Sequence, residues 1–184
     1  IATFTGLSID TGGSDYTLTF STSGLSSVTS SSLDIIPSNA SNLLFSSQPP
    51  GGTAGYNNAL TTTVYVTDSN DNLVTDAYID VTLAITTDTG DSSAELKGTT
   101  TVKSSAGIAT FSSVWIENAS SGYTLTASSS WVTSEVSSSF NITAGSASKL
   151  GFQAEPGGTA AGRTLSTQPV VSIQDSYGNA VSSA

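Results

Sequence analysis

The chain repeats itself with a period of 107 residues. Residues 1–77 align with residues 108–184 without a gap, and 31 of the 77 aligned pairs are identical. A period of this length matches one small domain, so the sequence predicts a tandem array of similar units. Because the chain begins and ends inside a unit, we expect these 184 residues to be a window of a longer array.

The composition is polar and acidic. The chain contains 36 Ser and 28 Thr, and 14 Asp and Glu outnumber four Lys and Arg, for a net charge of −10. Nucleic acid and anionic membrane surfaces have the same sign of charge, so we expect neither as a partner. No apolar run reaches the roughly 20 residues of a membrane helix, so we expect no membrane insertion in this segment.

The residue types most used in catalysis are missing. The chain has no histidine and no cysteine, which excludes Ser-His-Asp and Cys-His nucleophiles, His-ligated metals, thiolate sites and disulfides. A pair of carboxylates across a cleft would still support glycoside hydrolysis, but most of the acids fall in predicted turns or outward strand positions. We therefore expect no enzymatic activity.

Apolar residues alternate with serine and threonine at the period of a half-buried strand. In residues 60–67 the predicted inner face carries Thr62, Val64 and Val66, and residues 79–86 repeat the pattern. Further strands are predicted at 41–48, 94–103, 107–115, 122–129 and 136–143. No stretch has helical apolar spacing over three turns. About seven strands per unit predict an all-β fold of tandem, antiparallel, immunoglobulin-like β-sandwiches.

A tyrosine stands at the start of the sixth predicted strand, as Tyr123 and as its copy Tyr16. It resembles the tyrosine corner of immunoglobulin-like domains, in which the hydroxyl closes a backbone group of the preceding loop. With this strand order, residues 1–39 are the C-terminal part of one repeat, residues 40–146 a complete repeat and residues 147–184 the N-terminal part of the next. The junctions are short, so the array should form a fairly stiff rod.

The segment SKLGFQAEPGGTAAG, followed by VVSIQDSYGNAV, and the segment GIATFSSVWIENASSGYTLTA, followed by SSSFNIT, resemble known repeats. They are similar to the tandem bacterial immunoglobulin-like repeats of invasin-like and other large repetitive surface proteins, over essentially the whole chain. The resemblance implies a prokaryotic, extracellular protein at the cell surface. Such repeats occur in adhesin stalks, filaments and surface layers alike, so the resemblance specifies the domain type better than the function.

The sequence favours a structural repeat segment of an extracellular surface protein, which forms a rod-like stalk or a filament body. Its expected partners are neighbouring copies of itself. The alternative is an adhesin segment that binds a glycan or a host cell-surface receptor through exposed aromatic side chains. Trp115 and Trp131 stand where the other copy has Ser8 and Gly24, which fits either a contact role or a local packing variation. Further aromatic surface in the same unit comes from Tyr56, Tyr65 and Tyr78.

Asp68, Asn70 and Asn72 have the Asp-x-Asn-x-Asn spacing that opens a calcium loop, so Ca²⁺ is the one candidate cofactor. The glycine and distal glutamate of an EF-hand are absent, and a hairpin turn selects the same residue types, so we favour a turn over a metal site.

Three positions fit the N-glycosylation pattern Asn-x-Ser/Thr, namely Asn39, Asn118 and Asn141. In a chain so rich in serine and threonine, about three such matches are expected by chance. The residues at the equivalent repeat positions are not asparagine. The pattern therefore marks candidate glycan sites without favouring them.

Overall fold

The computed structural model describes residues 1–55 and 57–182. Over these residues the protein is all-β, with 41% strand in several sheets and no helix. The all-β class predicted from the alternation of apolar and hydroxyl side chains is confirmed. Tyr56, one of the predicted surface aromatics, lies outside the described residues.

The first part of the chain has four short strands. They are β1 (Gly13–Tyr16), β2 (Thr19–Phe20), β3 (Val28–Thr29) and β4 (Leu33–Ile35). Strand β1 pairs with β4 and β2 pairs with β3, both antiparallel. The two pairs form separate two-stranded sheets.

The middle of the chain contains most of the strands. They are β5 (Asn42–Ser47), β6 (Gly52–Thr53), β7 (Leu60–Thr67), β8 (Asp80–Ile85), β9 (Lys97–Gly98), β10 (Thr101–Lys103), β11 (Ile108–Trp115), β12 (Ser120–Tyr123), β13 (Leu125–Ser128), β14 (Glu135–Val136) and β15 (Phe140–Thr143). One four-stranded sheet has the order β5-β7-β11-β9 and a second has the order β10-β8-β13-β14. A three-stranded sheet, β12-β15-β6, contains one parallel pair, β6 with β15.

The last part of the chain forms one antiparallel pair, β16 (Lys149–Ala154) with β17 (Val170–Gln174). These strands occupy the repeat positions of β5 and β7. Phe152, the copy of the buried Phe45, is 54% exposed, because this two-stranded sheet has no second sheet packed on it among the described residues.

The predicted strands lie where the alternation placed them, but three of them are each divided between two sheets. The segment 94–103 is divided into β9 and β10, 122–129 into β12 and β13, and 136–143 into β14 and β15. In 94–103 the division follows Gly98, the last residue of β9, which has a φ of +95°. This left-handed conformation turns the chain, so that β9 pairs with β11 in one sheet while β10 pairs with β8 in the other. The alternation identifies both halves as extended but carries no signal for a change of sheet.

One hydrophobic core lies between the two four-stranded sheets. Val64, Val66 and Phe111 contribute from the first sheet, and Val81 and Leu83 contribute from the second; all are buried. Thr62 is also buried, so the inner face predicted for residues 60–67 is confirmed. The arrangement is consistent with a β-sandwich.

The predicted tyrosine hydrogen bond is present in both copies. The Tyr123 hydroxyl donates to the carbonyl oxygen of Asn118 at 2.9 Å, and the Tyr16 hydroxyl donates to that of Thr11 at 3.2 Å. Tyr123 is fully buried beside Phe140, with 6.0 Å between the ring centroids, and burial raises the pKa of its hydroxyl. Each bond therefore closes the loop in front of its strand.

Candidate functional site at the repeat junctions

Asp68 follows strand β7, and its carboxylate accepts most of the side-chain hydrogen bonds of a tight turn. Its carboxylate is buried and accepts hydrogen bonds through both oxygens. Oδ1 accepts from the backbone N–H groups of Asn70 and Asn72, at 2.9 and 3.0 Å, and the Asn72 side-chain amide donates to both oxygens. Oδ2 also accepts from the backbone N–H of Ser38 at 2.9 Å. Asp68 thus joins its own turn to the segment that precedes the complete sequence repeat, residues 40–146, which we call the middle unit.

Asn72 makes a second connection across the same junction. Its Oδ1 accepts from the backbone N–H of Gly12 at 2.7 Å, and its Nδ2 donates to the carbonyl oxygen of Asp10 at 2.8 Å. Both partners lie in the first part of the chain, 60 and 62 residues away. We call Asp68 and Asn72, with their bonds to Ser38, Gly12 and Asp10, the first junction clamp.

A second junction clamp connects the middle unit to the last part of the chain. Asp175 accepts from the backbone N–H of Gly145 at 2.9 Å. Asn179 accepts from the N–H of Ala119 at 2.8 Å and donates to the carbonyl oxygen of Glu117 at 2.7 Å. Each of these residues stands 107 positions after its counterpart in the first clamp. The two junctions are therefore held by the same hydrogen bonds.

Both clamp carboxylates are held in the ionised form. The backbone N–H of Ser38 is the largest influence on Asp68; burial opposes it, but the donors of Asn72 and Asn70 add to it, so the pKa of Asp68 lies well below its usual value. Burial acts against ionisation of Asp175, but the donors of Asn179 and Gly145 outweigh it and lower the pKa of that carboxyl as well. Charge-assisted hydrogen bonds of this kind are stronger than neutral ones.

We expect acid to weaken both clamps. A carboxyl whose pKa is depressed in the folded state stabilises that state above its usual pKa, here 3.8, and this contribution is lost as the pH falls further. NMR titration of the Ser38 and Gly145 amide protons should show their hydrogen-bonded shifts lost only below about pH 4. The Gly122 amide, which donates to the neutral Asn141 side chain, is the control. A midpoint at or above 3.8 for either clamp would contradict the prediction.

The residues predicted as a calcium loop lie at the first junction clamp. Asn70 contributes its backbone N–H, and its side chain is exposed. The side-chain oxygens of Asp68 and Asn72 already accept N–H donors, which a metal ion would have to displace. Within residues 1–55 and 57–182, no group of three or more acidic side chains is placed to share a metal ion. The favoured turn is present, and calcium stays a prediction.

The contacts across the junctions were not predicted from the sequence. A signal was available in the repeat itself: Asp68 and Asn72 recur as Asp175 and Asn179, whereas Asn70 becomes Tyr177. A calcium loop would use the side chain at the middle position, Asn70, as a ligand. The clamp does not use that side chain, so tyrosine can replace it in the other copy. An aspartate and an asparagine four residues later are thus kept together in both copies. This repetition was the signal that the two residues act together.

The two tryptophans lie in different surroundings. Trp115 ends strand β11 opposite Lys97, is half-buried, and its Nε1 lies 3.4 Å from Oε1 of Glu117. Trp131 lies in the loop between β13 and β14 and is 85% exposed. Only Trp131 therefore presents most of its ring to solvent.

Two tyrosines that were predicted as surface aromatics also differ in their exposure to solvent. Tyr65 is half-buried in β7, whereas Tyr78 is 69% exposed in the loop before β8. Tyr78 and Trp131 line the same surface depression of about 220 Å³. The structure thus brings together two aromatic side chains that are distant in the sequence.

The candidate glycosylation positions differ in accessibility. Asn39 is exposed in the linker before β5. The Asn118 side chain is half-buried and donates to Oγ of Ser93 at 3.2 Å. Asn141 is exposed, but its Oδ1 accepts from the backbone N–H of Gly122. Of the three positions, Asn39 therefore combines an exposed side chain with the fewest side-chain hydrogen bonds.

Over the described part of the chain, no helix is long and apolar enough to cross a membrane. No model of a known protein family matches the chain, and no curated protein matches it.

Proposed function

We propose that the chain is a structural segment of an extracellular, cell-surface protein, in which tandem repeats form a rod-like stalk or a filament body. Neighbouring copies are its partners, and its role is mechanical rather than enzymatic. The observation that carries the proposal is the repetition of one clamp at two successive junctions. A chain selected only for independently folding domains would have no need of identical bonds between them.

Each clamp restricts bending because it makes two separate attachments. In the first, Asp68 binds the linker at Ser38, while Asn72 binds the loop at Asp10 and Gly12. A single short linker still allows rotation about its bonds, whereas two attachments at different points on the neighbouring unit oppose it. Because the same bonds recur at the second junction, successive units adopt one relation, and a regular rod follows.

The strand order supports tandem immunoglobulin-like repeats as the units of this rod. The order β5-β7-β11-β9 corresponds to strands A, B, E and D of such a sandwich, and β8, β13 and β14 correspond to C, F and G. The hydroxyl of Tyr123 closes its loop as a tyrosine corner does. The resemblance to repetitive bacterial surface proteins is proposed on the same grounds.

The test is electron microscopy of the full-length protein on the native cell surface. A rod of clamped sandwiches should show an axial repeat of one unit, about 30–45 Å. Successive units should lie in line, either in a stalk or within a filament. Strings in which the angle between neighbouring units varies freely would contradict the proposal.

A second candidate function is adhesion. It is favoured by Trp131 and Tyr78, two large, exposed aromatic side chains that line one depression. Aromatic residues are enriched at contact sites because they bury much area at little cost in side-chain entropy. In this case the rod would carry binding sites along its side.

A further inference from the structure

We propose that the depression between Tyr78 and Trp131 is a binding site for one neutral pyranose unit of a glycan. The inference rests on the second candidate function and names its ligand. We call this surface the aromatic depression; its lining includes Tyr78, Asp80, Lys103, Ser129, Ser130 and Trp131.

The aromatic rings supply the apolar part of the site. Trp131 and Tyr78 are 85% and 69% exposed, so most of each side chain is open to a ligand. The face of an aromatic ring is the negative side of its quadrupole, and the C–H groups on one face of a pyranose are weakly positive. Stacking of a sugar on Trp131 would therefore combine apolar burial with favourable electrostatics.

The ion pair beside the rings supplies polar groups. Lys103 Nζ lies 3.6 Å from Oδ1 of Asp80 and 4.9 Å from the centroid of the Tyr78 ring. Lys103 thus holds the tyrosine by a cation–π contact and remains a hydrogen-bond donor, while Asp80 is an acceptor. The hydroxyls of Ser129 and Ser130 both donate and accept. The site therefore offers both hydrogen-bond donors and acceptors. Each hydroxyl of a sugar can donate and accept, so it can use both kinds of group.

Charge and size select the class of sugar. Lys103 and Asp80 offset each other, and the chain as a whole has a net charge of −10, so an anionic sugar would be repelled. The depression holds about 220 Å³, which is less than the roughly 300–1,000 Å³ of sites for larger small molecules. A single neutral ring fits these limits, with a dissociation constant on the order of 1 mM expected for so small a ligand.

The repeat itself offers a suitable variant. Trp131 stands where the other copy has Gly24, and its side chain lies in an exposed loop, so Trp131→Gly should not disturb the core. Tyr65→Ser is the matched control, since it also replaces an aromatic residue by that of the other copy, at a position outside the aromatic depression.

The experiment is saturation-transfer NMR on the 184-residue chain with the methyl pyranosides of glucose, galactose and N-acetylglucosamine, and with methyl glucuronide as the anionic probe. At least one neutral pyranoside should bind with a dissociation constant on the order of 1 mM. Trp131→Gly should weaken its binding tenfold or more, and Tyr65→Ser less than twofold. The glucuronide should bind more weakly than the best neutral sugar.

Three results would overturn the proposal: no transfer to any neutral pyranoside, binding unchanged by Trp131→Gly, or tighter binding of the glucuronide. A second measurement distinguishes failure of the sugar site from failure of the adhesin function. Beads coated with the parent chain or with each variant are tested for adhesion to cultured host cells. If sugars do not bind but Trp131→Gly still reduces adhesion, the ligand is a protein and the adhesin function stands. If Trp131→Gly leaves adhesion unchanged as well, both the sugar site and the adhesin function are wrong. The proposal of a structural rod is then tested by the electron microscopy described for it.

Discussion

Replacement of Phe111 by alanine should lower the free energy of unfolding of the middle unit by about 3–5 kcal/mol. Phe111 lies in β11, is 1% exposed and belongs to the core shared by the two four-stranded sheets. Its removal loses buried apolar area and leaves a cavity that neighbouring strands cannot fill without breaking their pairing. Urea unfolding followed by circular dichroism measures the change.

The repeat supplies the control for this experiment. Phe4 occupies the same repeat position but is 59% exposed, with its ring 4.9 Å from that of Phe20. Phe4→Ala in the same 184-residue chain should cost about 1 kcal/mol or less, because an exposed side chain leaves no cavity. Equal losses for the two variants would mean that the middle unit does not hold the core described above.

Replacement of Asp68 by asparagine should loosen the first junction while the middle unit stays folded. An amide has one oxygen where the carboxylate has two, so an N–H donor of the clamp would face an NH₂ group. The charge assistance would also be lost. Because the chain contains no cysteine, spin labels can be placed uniquely at Ser14 and Thr61, two exposed strand residues on either side of the junction.

Pulsed electron paramagnetic resonance should give a narrow distance distribution for the parent chain and one at least twice as broad for Asp68→Asn. The control is Asp71→Asn, which makes the same change in charge at an exposed position whose φ of +62° asparagine tolerates. A label pair at Thr61 and Gln153, across the second junction, should be unaffected by either variant. Equal widths for Asp68→Asn and Asp71→Asn would show that the clamp does not hold the junction.

Much of the fold was predictable because its signals are local. The alternation in residues 60–67 and 79–86 follows from the geometry of a strand, in which successive side chains point to opposite faces. The same holds for the loop closed by Tyr123, whose partner Asn118 lies five residues away. Such features depend on the backbone and on near neighbours, so the amino-acid sequence contains them.

The candidate sites were only partly predictable. The turn at Asp68 was expected from its composition, but the partners of Asn72 lie 60 and 62 residues away. No local pattern specifies which loop of a neighbouring unit an amide will reach. The aromatic depression is similar: the residues were visible as individual aromatics, but their meeting depends on how the loops before β8 and after β13 are placed.

The sequence by itself determined that this protein is all-β, where most strands lie and which faces are buried, since periodicity and residue type act over a few residues. The tertiary structure alone decided that Asp68 and Asn72 bind the preceding unit, that Asp175 and Asn179 do the same at the next junction, and that Tyr78 meets Trp131. These contacts join residues distant in the chain, and their geometry is set by the pairing and packing of whole sheets.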